Sequence, residues 1–378
     1  MRQRSLNDPV VGGWGLGPSN LILVNAKQGL PSMLWVKGEL LTEIDAAGVD
    51  PTGQLERAAQ PCLFDRKDWF RRVWRHGGST PLIARAASEG ALAWLFLHRA
   101  DRAKVTALAN WYSFAFRPVF WGSPDPAHQR AMIVAIATRL KAARPRIASI
   151  TLAPVPTIDG SAELIEAAFR RAGWIVSAHQ SSTSWTANVA GLPFEDYWAA
   201  RPGQLRSTLK RKQAKAAFET QILTHFDKET WAAYEDVYAD SWKPDEGLPK
   251  FLRELATSEA KAGCLRLGIC RIEGVAVAAQ LWTVENGRAL IHKLAHRESA
   301  TEFSPGTILS AAMFRHVIDV DKVDTIDFGT GNDGYKADWM DASAPLMHLQ
   351  AFNPTTPAGL IGAAKARFSR LVGRGSGG

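Results

Sequence analysis

One continuous stretch, residues 275–341, constrains the fold more than any other part of the chain. It opens with two alternating apolar runs joined at residues 285–287 by Glu-Asn-Gly, which is a β-hairpin signal. A polar loop then leads through Ser-Pro-Gly-Thr at residues 304–307 into a run whose apolar residues recur at steps of three and four, typical of a helix. A short strand at residues 323–328 follows and runs into a Gly-rich turn. We expect this order of elements to hold a phosphate and to expose polar groups near it.

Length and composition fit a folded protein of two domains of ordinary size. The chain has 378 residues, of which 46% are hydrophobic and 22% are charged. No apolar run is long enough to cross a bilayer, and the amino-terminal segment lacks the apolar core and cleavage site of a signal peptide. The three cysteines, Cys62, Cys264 and Cys270, show neither metal-ligand spacing nor a nucleophile motif. We therefore expect a cytoplasmic protein with reduced thiols and no bound metal.

The charge balance indicates anionic partners. The chain carries a formal net charge of +8 and contains 14 tryptophans. Nucleic acid, coenzyme phosphates and an anionic membrane surface are the candidate partners for such an excess. Part of the charge lies in one basic helical run, formed by Arg201, Arg206, Lys210, Arg211, Lys212 and Lys215. That run is either a solvated face or a contact for phosphates, lipid or transfer RNA, and the lack of interleaved aromatic residues disfavours base stacking.

The order of predicted elements repeats along the chain. Before residue 193 we predict a hairpin, a helix, a strand, a helix capped by Ser161, and a strand at residues 174–178. After residue 194 a helical pattern, interrupted by a proline, extends to residue 218, and two further helices precede the stretch described above. These patterns predict an N-terminal arm at residues 1–60, a first half at 61–193, a second half at 194–353 and a basic tail at 354–378.

The tail predicts an amphipathic helix at residues 358–372. One face would carry Leu360, Ile361, Ala364, Phe368 and Leu371, with Arg367, Arg370 and Arg374 beside it. This composition is typical of a helix that lies on a membrane surface. The alternative is a helix that covers the domain with its apolar face.

Residues 327–339, which read DFGTGNDGYKADW, closely resemble the end motif of one branch of the GNAT N-acyltransferases found in bacterial cell-envelope proteins. Two further stretches, 205–212 and 241–247, are similar to the same branch. The resemblance implies an α/β (α+β) fold with two GNAT-like halves, each a mixed, mostly antiparallel sheet flanked by helices, as in the Fem-type aminoacyl transferases. It also implies that the second half holds the acyl donor.

For the donor, the resemblance assigns the turn before the helix. Ser304, Gly306, Thr307 and Ile308 would present backbone N–H groups and a helix dipole to the phosphates of acyl-CoA, which enters as a co-substrate while no cofactor is bound permanently. The usual GNAT loop has more glycine and more basic residues than residues 297–307. A different acyl donor therefore stays open as an alternative.

For the chemistry, five side chains are candidates: His292, His296, Asp327, Tyr335 and Lys336. Strict alternation places both histidines on one face of the strand, where either is a candidate general base, although each is also explained by packing or surface exposure. Tyr335 is a candidate proton donor to the leaving thiolate, and Lys336 a candidate for stabilising negative charge. Asp327 could orient a histidine, accept from the amine or form a salt bridge with Lys336 that fixes the turn. Because no cysteine fits a nucleophile motif, we expect direct attack in a ternary complex.

The resemblance to bacterial ceramide synthases suggests the acceptor. It implies transfer of a long-chain acyl group from acyl-CoA to the amine of a lipid such as a sphingoid base, by a cytoplasmic protein at the inner membrane surface. The aromatic run at residues 111–121 would line an acyl groove or form an ordinary core strand. Two alternatives remain. One is a Fem-type transferase that uses aminoacyl-transfer RNA on a cell-wall precursor, and the other is a catalytically silent GNAT-like module of envelope assembly.

Overall fold

The computed structural model describes residues 21–23 and 33–375, with the surroundings of side chains from residue 35 to residue 368. The strands are β1 (Leu21–Leu23), β2 (Met33–Trp35), β3 (Lys37–Leu41), β4 (Thr80–Ser88), β5 (Ala91–Arg99), β6 (Lys104–Ala107), β7 (Val119–Trp121), β8 (Ser149–Pro156), β9 (Ile175–Asn188), β10 (Phe218–Leu223), β11 (Leu265–Ile272), β12 (Val275–Glu285), β13 (Arg288–His296), β14 (Thr325–Thr330) and β15 (Ala342–Phe352). The helices are α1 (Lys67–Gly77), α2 (Pro126–Lys141), α3 (Ser161–Arg171), α4 (Phe194–Ala199), α5 (Gly203–Gln213), α6 (Lys228–Ala239), α7 (Pro249–Lys261), α8 (Pro305–Asp319) and α9 (Pro357–Gly375). Short 3₁₀ turns lie at Leu63–Asp65, Glu298–Phe303 and Gly334–Asp338.

One large sheet contains every described strand from β3 to β15. Its strand order is β10-β11-β12-β13-β14-β9-β15-β8-β6-β5-β4-β3, and β7 pairs with β5 at the side. Within the described chain, only the pairs β6–β8 and β13–β14 are parallel, and a helix connects the two strands of each pair. The predicted fold class is confirmed: the sheet is mixed, mostly antiparallel and flanked by helices, and the parallel pair recurs once in each half.

The two halves are joined by an exchange of their last strands. β9 ends the first half along the chain, yet it pairs with β14 of the second half. β15 ends the second half, yet it pairs with β8 of the first half, and the two exchanged strands pair with each other along eleven positions. The two halves that meet at the predicted boundary 193/194 are therefore joined by backbone hydrogen bonds between their strands. Separating the halves would leave long strand edges unpaired.

Helices cover both faces of the second-half sheet. α8 packs on β11, β12 and β13, and its side chain Phe314 contacts Trp282 edge-on at 5.2 Å and Tyr197 in a stack at 5.4 Å. The buried positions of α8 recur at steps of three and four, which is the spacing predicted from the sequence. α6 packs on β12 and β13 from the opposite side, and α7 contacts α1 of the first half. The sheet of the second half is thus held between two apolar layers, one of which is shared with the first half.

Three local predictions need correction. Ser161 is the first residue of α3 and not its cap: Gly160 occupies the cap position, and the Asp159 carboxylate accepts a hydrogen bond from the Ser161 N–H. The predicted strand at 174–178 continues to Asn188, because its second part is the one exchanged into the other half. Phe218, predicted as helical, begins the edge strand β10, which follows a helix that ends at Gln213.

α9 packs on the body through its smallest residues. A Cβ added to Gly359 would lie 2.1 Å from the Asn353 carbonyl oxygen, and one added to Gly362 would lie 2.8 Å from the Phe352 ring. Leu360, Ile361 and Phe368 point away from the body and are 51%, 57% and 68% exposed. The alternative in which this helix covers the domain with its apolar face is therefore wrong. The predicted contributions of Leu371, Arg370 and Arg374 lie outside the side chains that the structure describes.

The part of the chain that the structure describes contains no helix both long enough and apolar enough to span a bilayer.

Candidate active site

The parallel pair β13–β14 opens into a cavity. The two strands pair only from Arg288 to Leu290 and from Thr325 to Asp327, and they then diverge. A cavity of about 440 Å³ lies at the divergence, and we call it the transfer cavity. Its lining residues are Trp111, Tyr112, Phe114, Ser182, Lys243, Ile291, His292, Lys293, Leu294, Phe328, Gly329, Thr330, Gly331, Asn332, Asp333, Tyr335 and Lys336. Strand divergence supplies backbone polar groups on both sides of the opening, which suits an extended ligand.

A β-bulge in β13 decides where the histidines point. Across the neighbouring strand, Leu281 pairs with Lys293 and Trp282 with Ile291, so His292 is the extra residue. His292 contacts the ring of Phe114 in the apolar layer shared with the first half. His296 lies on the α8 side, where a Cβ added to Gly306 would meet its Nδ1 at 3.3 Å. The predicted alternation therefore holds as far as His292 and is wrong from Lys293 onward, because the bulge shifts it by one residue.

His292 lines the transfer cavity but is poorly suited to accept a proton. Its ring is 9% exposed, and Nε2 lies 2.8 Å from the Thr283 hydroxyl. Burial, followed by the nearby charges of Lys293 and Arg72, lowers the pKa of His292 to about 3. A neutral imidazole that hydrogen-bonds a threonine favours the packing interpretation over the general base. Burial also lowers the pKa of His296, and the Lys243 charge adds to this effect.

Three lysines converge on the transfer cavity: Lys243, Lys293 and Lys336. The Lys293 ammonium lies 3.0 Å from a carboxylate oxygen of Glu246 and within 4.7 Å of the Tyr112 ring centre and 5.3 Å of the Tyr238 ring centre. Burial lowers the pKa of Lys293, while Glu246 opposes that shift. An ammonium surrounded by a carboxylate and aromatic faces is held in one place.

Lys336 is fixed by the turn that the sequence motif encodes. Its Nζ donates to the Thr330 carbonyl at 2.6 Å and lies 3.4 Å from the Asp333 carboxylate. Burial lowers the pKa of Lys336, and Asp333 counteracts it. Gly331, at a φ of 135°, lies beside the ammonium: a Cβ there would be 2.8 Å from Nζ. The Gly-rich turn therefore positions a cation at the rim of the transfer cavity.

Lys243 differs from the other two lysines. Among the residues that the structure describes, no carboxylate lies within 4 Å of its ammonium, which sits 5.7 Å from the Trp242 ring centre. Burial, followed by the charges of Lys293 and Lys336, lowers the pKa of Lys243 to about 8. It is therefore the lysine most readily neutral near physiological pH.

Of the two predicted residues Asp327 and Tyr335, only Tyr335 lines the transfer cavity. The Asp327 carboxylate accepts from the Gly329 N–H at 2.8 Å and lies 3.9 Å from Arg288, and burial raises its pKa. Lys336 pairs with Asp333 instead, so the predicted salt bridge between Asp327 and Lys336 is not formed. Tyr335 lines the cavity with its ring edge-on to Phe328 at 5.8 Å, and burial raises its pKa, so the hydroxyl stays protonated.

The residues predicted to bind the coenzyme form the first turn of α8. Ser304, at a φ of 51°, caps the helix without a side-chain hydrogen bond. The N–H groups of Thr307 and Ile308 donate back to the Ser304 carbonyl at 3.0 and 3.3 Å, so the turn itself uses them. The buried Gln280 amide holds this turn by donating to Ser310 at 2.8 Å and to the Gly306 carbonyl at 3.3 Å. The four residues predicted to bind the coenzyme, Ser304, Gly306, Thr307 and Ile308, do not line the transfer cavity.

The basic run splits into a structural and an exposed part. Arg201 is buried and donates to the Trp339 carbonyl at 3.0 Å and to Asp341, which ties α5 to the end of the motif turn. Lys212 donates to the Glu302 carbonyl in the turn before α8. The other four side chains are exposed, and they are Arg206, Lys210, Arg211 and Lys215. An exposed basic helix thus lies beside the start of α8.

In the first half the corresponding opening is filled. β6 and β8 pair over Lys104–Thr106 and Ser149–Thr151 and then part. The loop that follows β6 closes the gap, because the Phe116 N–H donates to the Pro154 carbonyl at 2.6 Å and its ring is buried. The matching helix, α2, is capped by its own Asp125 carboxylate, which accepts from the His128 N–H at 2.8 Å. The same loop sends Trp111, Tyr112 and Phe114 to the transfer cavity.

Sequence reasoning missed Lys243, Lys293 and Glu246 as site residues. Lys243 and Glu246 lie in the stretch 241–247 that resembles the GNAT branch, so a signal was present without an assigned role. Lys293 follows His292 directly, and strict alternation placed it on the wrong face. Only the bulge turns both residues toward the same side.

Comparison with known proteins agrees with this architecture. Residues 201–337 match a protein-family profile described as an acetyltransferase (GNAT) domain. Comparison with curated proteins gave no significant match. The GNAT resemblance is therefore confirmed for this part of the chain, and it supports a transferase of acyl groups. The ceramide synthase resemblance receives no support.

Solved structures show the same fold at low sequence identity. FemX superposes with a TM-score of 0.56 and 10% identity over 82% of this chain and 96% of its own. The C-terminal domain of a putative lysylphosphatidylglycerol synthetase from Agrobacterium fabrum gives 0.50 and 12%, over 78% and 90%. A conserved protein of unknown function from Bacteroides thetaiotaomicron gives 0.50 and 10%, over 75% and 89%. These likenesses establish the fold and leave the substrates open.

Proposed function

We propose that the protein is an N-acyltransferase that moves an acyl group from acyl-CoA to an amine in the transfer cavity. The observation that carries this proposal is the contrast between the two strand openings. The opening in the second half is a cavity of about 440 Å³ lined by three lysines, whereas the opening in the first half is closed by Phe116. The half with the open cavity is also the one that matches the acetyltransferase profile.

Different side chains at the cavity would perform different steps of acyl transfer. Attack on a thioester carbonyl places negative charge on its oxygen, and Lys336 or Lys293 can stabilise that charge because both ammonium groups are fixed before the reaction. The departing thiolate needs a proton, which the protonated Tyr335 hydroxyl can give. The cysteines are not candidates for an acyl-enzyme, since burial raises the pKa of Cys62 to about 11 and that of Cys270 to about 12.

The coenzyme would extend from the transfer cavity to the start of α8. Ser304 lacks a side-chain cap, Gly306 leaves space beside His296, and the exposed basic residues of α5 lie next to this turn. A helix start that no side-chain carboxylate caps, with cations beside it, favours an anion. Because the N–H groups of Thr307 and Ile308 already donate to the Ser304 carbonyl, these residues would act on the phosphates mainly through the helix dipole.

Turnover with defined substrates tests the proposal. Purified protein is offered acetyl-, hexanoyl- or palmitoyl-CoA with a short alkylamine, a sphingoid base or a matched long-chain alcohol, and thiol release and amide product are both measured. We expect thiol release that requires a free amine and is lost with the alcohol. A preference for palmitoyl-CoA and the sphingoid base would extend the proposal to a lipid acceptor. Binding of no acyl-CoA at all would contradict it, and aminoacyl-transfer RNA would then be the next donor to test.

A second donor is favoured by one observation, the exposed basic face of α5. Arg206, Lys210 and Arg211 on α5 and Lys215 just after it are exposed, and Lys212 joins the same helix to the turn before α8. A polynucleotide donor such as aminoacyl-transfer RNA would contact such a face. If this donor is used, exchanging the four exposed residues for glutamate should abolish transfer from aminoacyl-transfer RNA at low salt. A raised KM for acyl-CoA in the same variant would instead assign these residues to the coenzyme.

The proposal includes attachment to an anionic membrane through α9. By the period of 3.6 residues, Lys365 and Arg367 flank the exposed face that carries Leu360, Ile361 and Phe368. Apolar residues bordered by cations match an anionic lipid surface. We expect the protein to sediment with vesicles that contain phosphatidylglycerol and not with phosphatidylcholine alone. Serine at these three apolar positions should end sedimentation, while serine at the exposed Ile158 and Val320 should not.

A further inference from the structure

A second cavity lies next to the transfer cavity, between α6 and the start of α7. It measures about 230 Å³, and we call it the α6–α7 pocket. Trp231, Tyr234 and Tyr238 form an aromatic wall, and all three are buried. Glu235 and Asp245 line the same pocket from the solvent side. Aromatic faces with carboxylates at the mouth attract an organic cation and repel a carboxylate or a phosphate.

Lys243 is the residue that the two cavities share, since it lines both of them. Lys293 and Lys336, the other two lysines of the transfer cavity, each have a carboxylate within 3.4 Å, whereas Lys243 has none within 4 Å among the described residues. Its side chain therefore lies between a site suited to a cation and a site suited to an acyl donor, with no fixed partner of its own.

The pocket already shows how it can hold an ammonium group. On its inner side, Tyr238 and Glu246 take part in the enclosure of the Lys293 ammonium, at 5.3 Å from the ring centre and 3.0 Å from the carboxylate. The Tyr234 hydroxyl and the second oxygen of Glu246 are buried without a hydrogen-bond partner in the described chain. Buried polar atoms without partners are uncommon in folded proteins, and a small shift of either side chain would let a ligand supply the missing partner.

We propose that the α6–α7 pocket binds the acceptor as a primary ammonium group on an apolar body, and that Lys243 takes the proton that frees this amine for attack. The proposal rests on the proposed function, because it names the acceptor site of the same reaction. Neutral Lys243 receives one proton from the ammonium and later releases it to solvent. The freed amine forms a C–N bond with the thioester carbonyl. The C–S bond then breaks, and the thiolate leaves with a proton from Tyr335, which regains one from the amide nitrogen.

The charges around Lys243 support this role. Burial, followed by Lys293 and Lys336, lowers the pKa of Lys243 to about 8, while Asp333 and Glu246 act in the opposite direction. His296 lies close enough for Lys243 to lower its pKa as well. The remaining ionisable groups that line the α6–α7 pocket with Lys243 are Tyr234, Glu235, Tyr238 and Asp245, and those that line the transfer cavity with it are Tyr112, His292 and Tyr335. A base is most effective when its pKa lies near the working pH.

The pH dependence of turnover tests the role of Lys243. With the full-length protein, kcat should rise with pH through a midpoint near 8, because only the neutral amine accepts a proton. Lys243→Arg keeps the positive charge but does not deprotonate, so it should lower kcat by about 100-fold and remove this limb, while the KM for acyl-CoA stays within threefold. Trimethylamine, which cannot form an amide, should restore part of the activity of Lys243→Ala.

Acceptor binding tests the pocket separately, in the absence of any acyl donor. The probe is octylammonium, with octanol and octanoate as matched neutral and anionic compounds, and Trp231 provides a fluorescence signal. We expect octylammonium to bind at least tenfold more tightly than either matched compound. Asp245→Asn should weaken it about fivefold, and Tyr234→Phe should weaken it without lowering the melting temperature, since the hydroxyl has no partner to lose. Glu229→Gln, at an exposed position on the same helix, is the control.

The outcomes separate the two proposals. Equal binding of octylammonium and octanol would overturn the assignment of the pocket, whatever the enzyme does with acyl-CoA. An unchanged pH limb in Lys243→Arg, with normal turnover, would overturn the role of Lys243 and leave the proposed function intact. Octylammonium binding by a protein that binds no acyl-CoA would instead sink the proposed function and leave the ammonium site standing.

Discussion

The two halves of this protein use the same strand arrangement for different purposes. In each half a parallel pair of strands opens at one end and a helix connects the two strands. In the second half the opening is a cavity with three lysines at its wall, and in the first half the Phe116 loop fills it. The starts of the two connecting helices also differ. The Asp125 carboxylate caps α2, whereas no side chain caps α8 at Ser304. One opening is thus closed by packing, whereas the other remains a cavity.

The filled half still contributes to the open one. The loop that places Phe116 in the first opening also carries Trp111, Tyr112 and Phe114 to the transfer cavity. Gly329 permits this contact, since a Cβ there would lie 2.9 Å from the Phe114 ring and the residue has a φ of 67°. The strand exchange of β9 and β15 fixes the distance between the halves. The first half therefore acts as one wall of the site in the second half.

The sharpest test of the comparison is Lys336→Met. Loss of a fixed ammonium from the transfer cavity should lower kcat by about 100- to 1,000-fold, the usual cost of removing one group that stabilises an oxyanion. Steady-state thiol release measures the effect. Lys104→Met, at an exposed position in β6 of the first-half opening, should leave kcat unchanged. Equal losses in both variants would mean that the two openings share the chemistry.

Phe116→Ala should affect stability far more than turnover. Removing a buried ring from the first opening should lower the free energy of unfolding by about 3 to 5 kcal/mol, measured by denaturant titration. Turnover at 15 °C, where the variant remains folded, should fall much less than in Lys336→Met, because the backbone bond of Phe116 to Pro154 remains. A large loss of kcat at unchanged stability would show that the first opening takes part in the reaction.

The smallest expected effect is that of Asp125→Ala. Loss of this cap from α2 should cost about 1 kcal/mol of unfolding free energy, with kcat and the KM for acyl-CoA unaltered. The reverse substitution in the other half, Ser304→Asp, places a carboxylate where we propose the coenzyme phosphates, and it should raise the KM for acyl-CoA. If Ser304→Asp left that KM unchanged, the coenzyme would have to bind elsewhere.

Much of the architecture was predictable because it depends on local pattern. The hairpin of β12 and β13 and the helix α8 followed from alternation and helical spacing, and the fold class followed from the order of elements together with the resemblance to the GNAT branch. The motif at residues 327–339 predicted a turn that presents Tyr335 and Lys336, and both line the cavity. Side chains that contact their own segment are within reach of sequence reasoning, because the turn chemistry that positions them is local.

The sequence alone determined the hairpin and the helix α8 of the second half, the positive charge of the chain and the apolar face of α9. Only the tertiary structure decided which way the residues after His292 point, since one bulge residue reverses every later side chain in a strand. It also decided that Phe116 closes one opening, that β9 and β15 change places, and that Lys243 stands between two cavities. Each of these depends on contacts between residues distant along the chain, and no local pattern encodes such contacts.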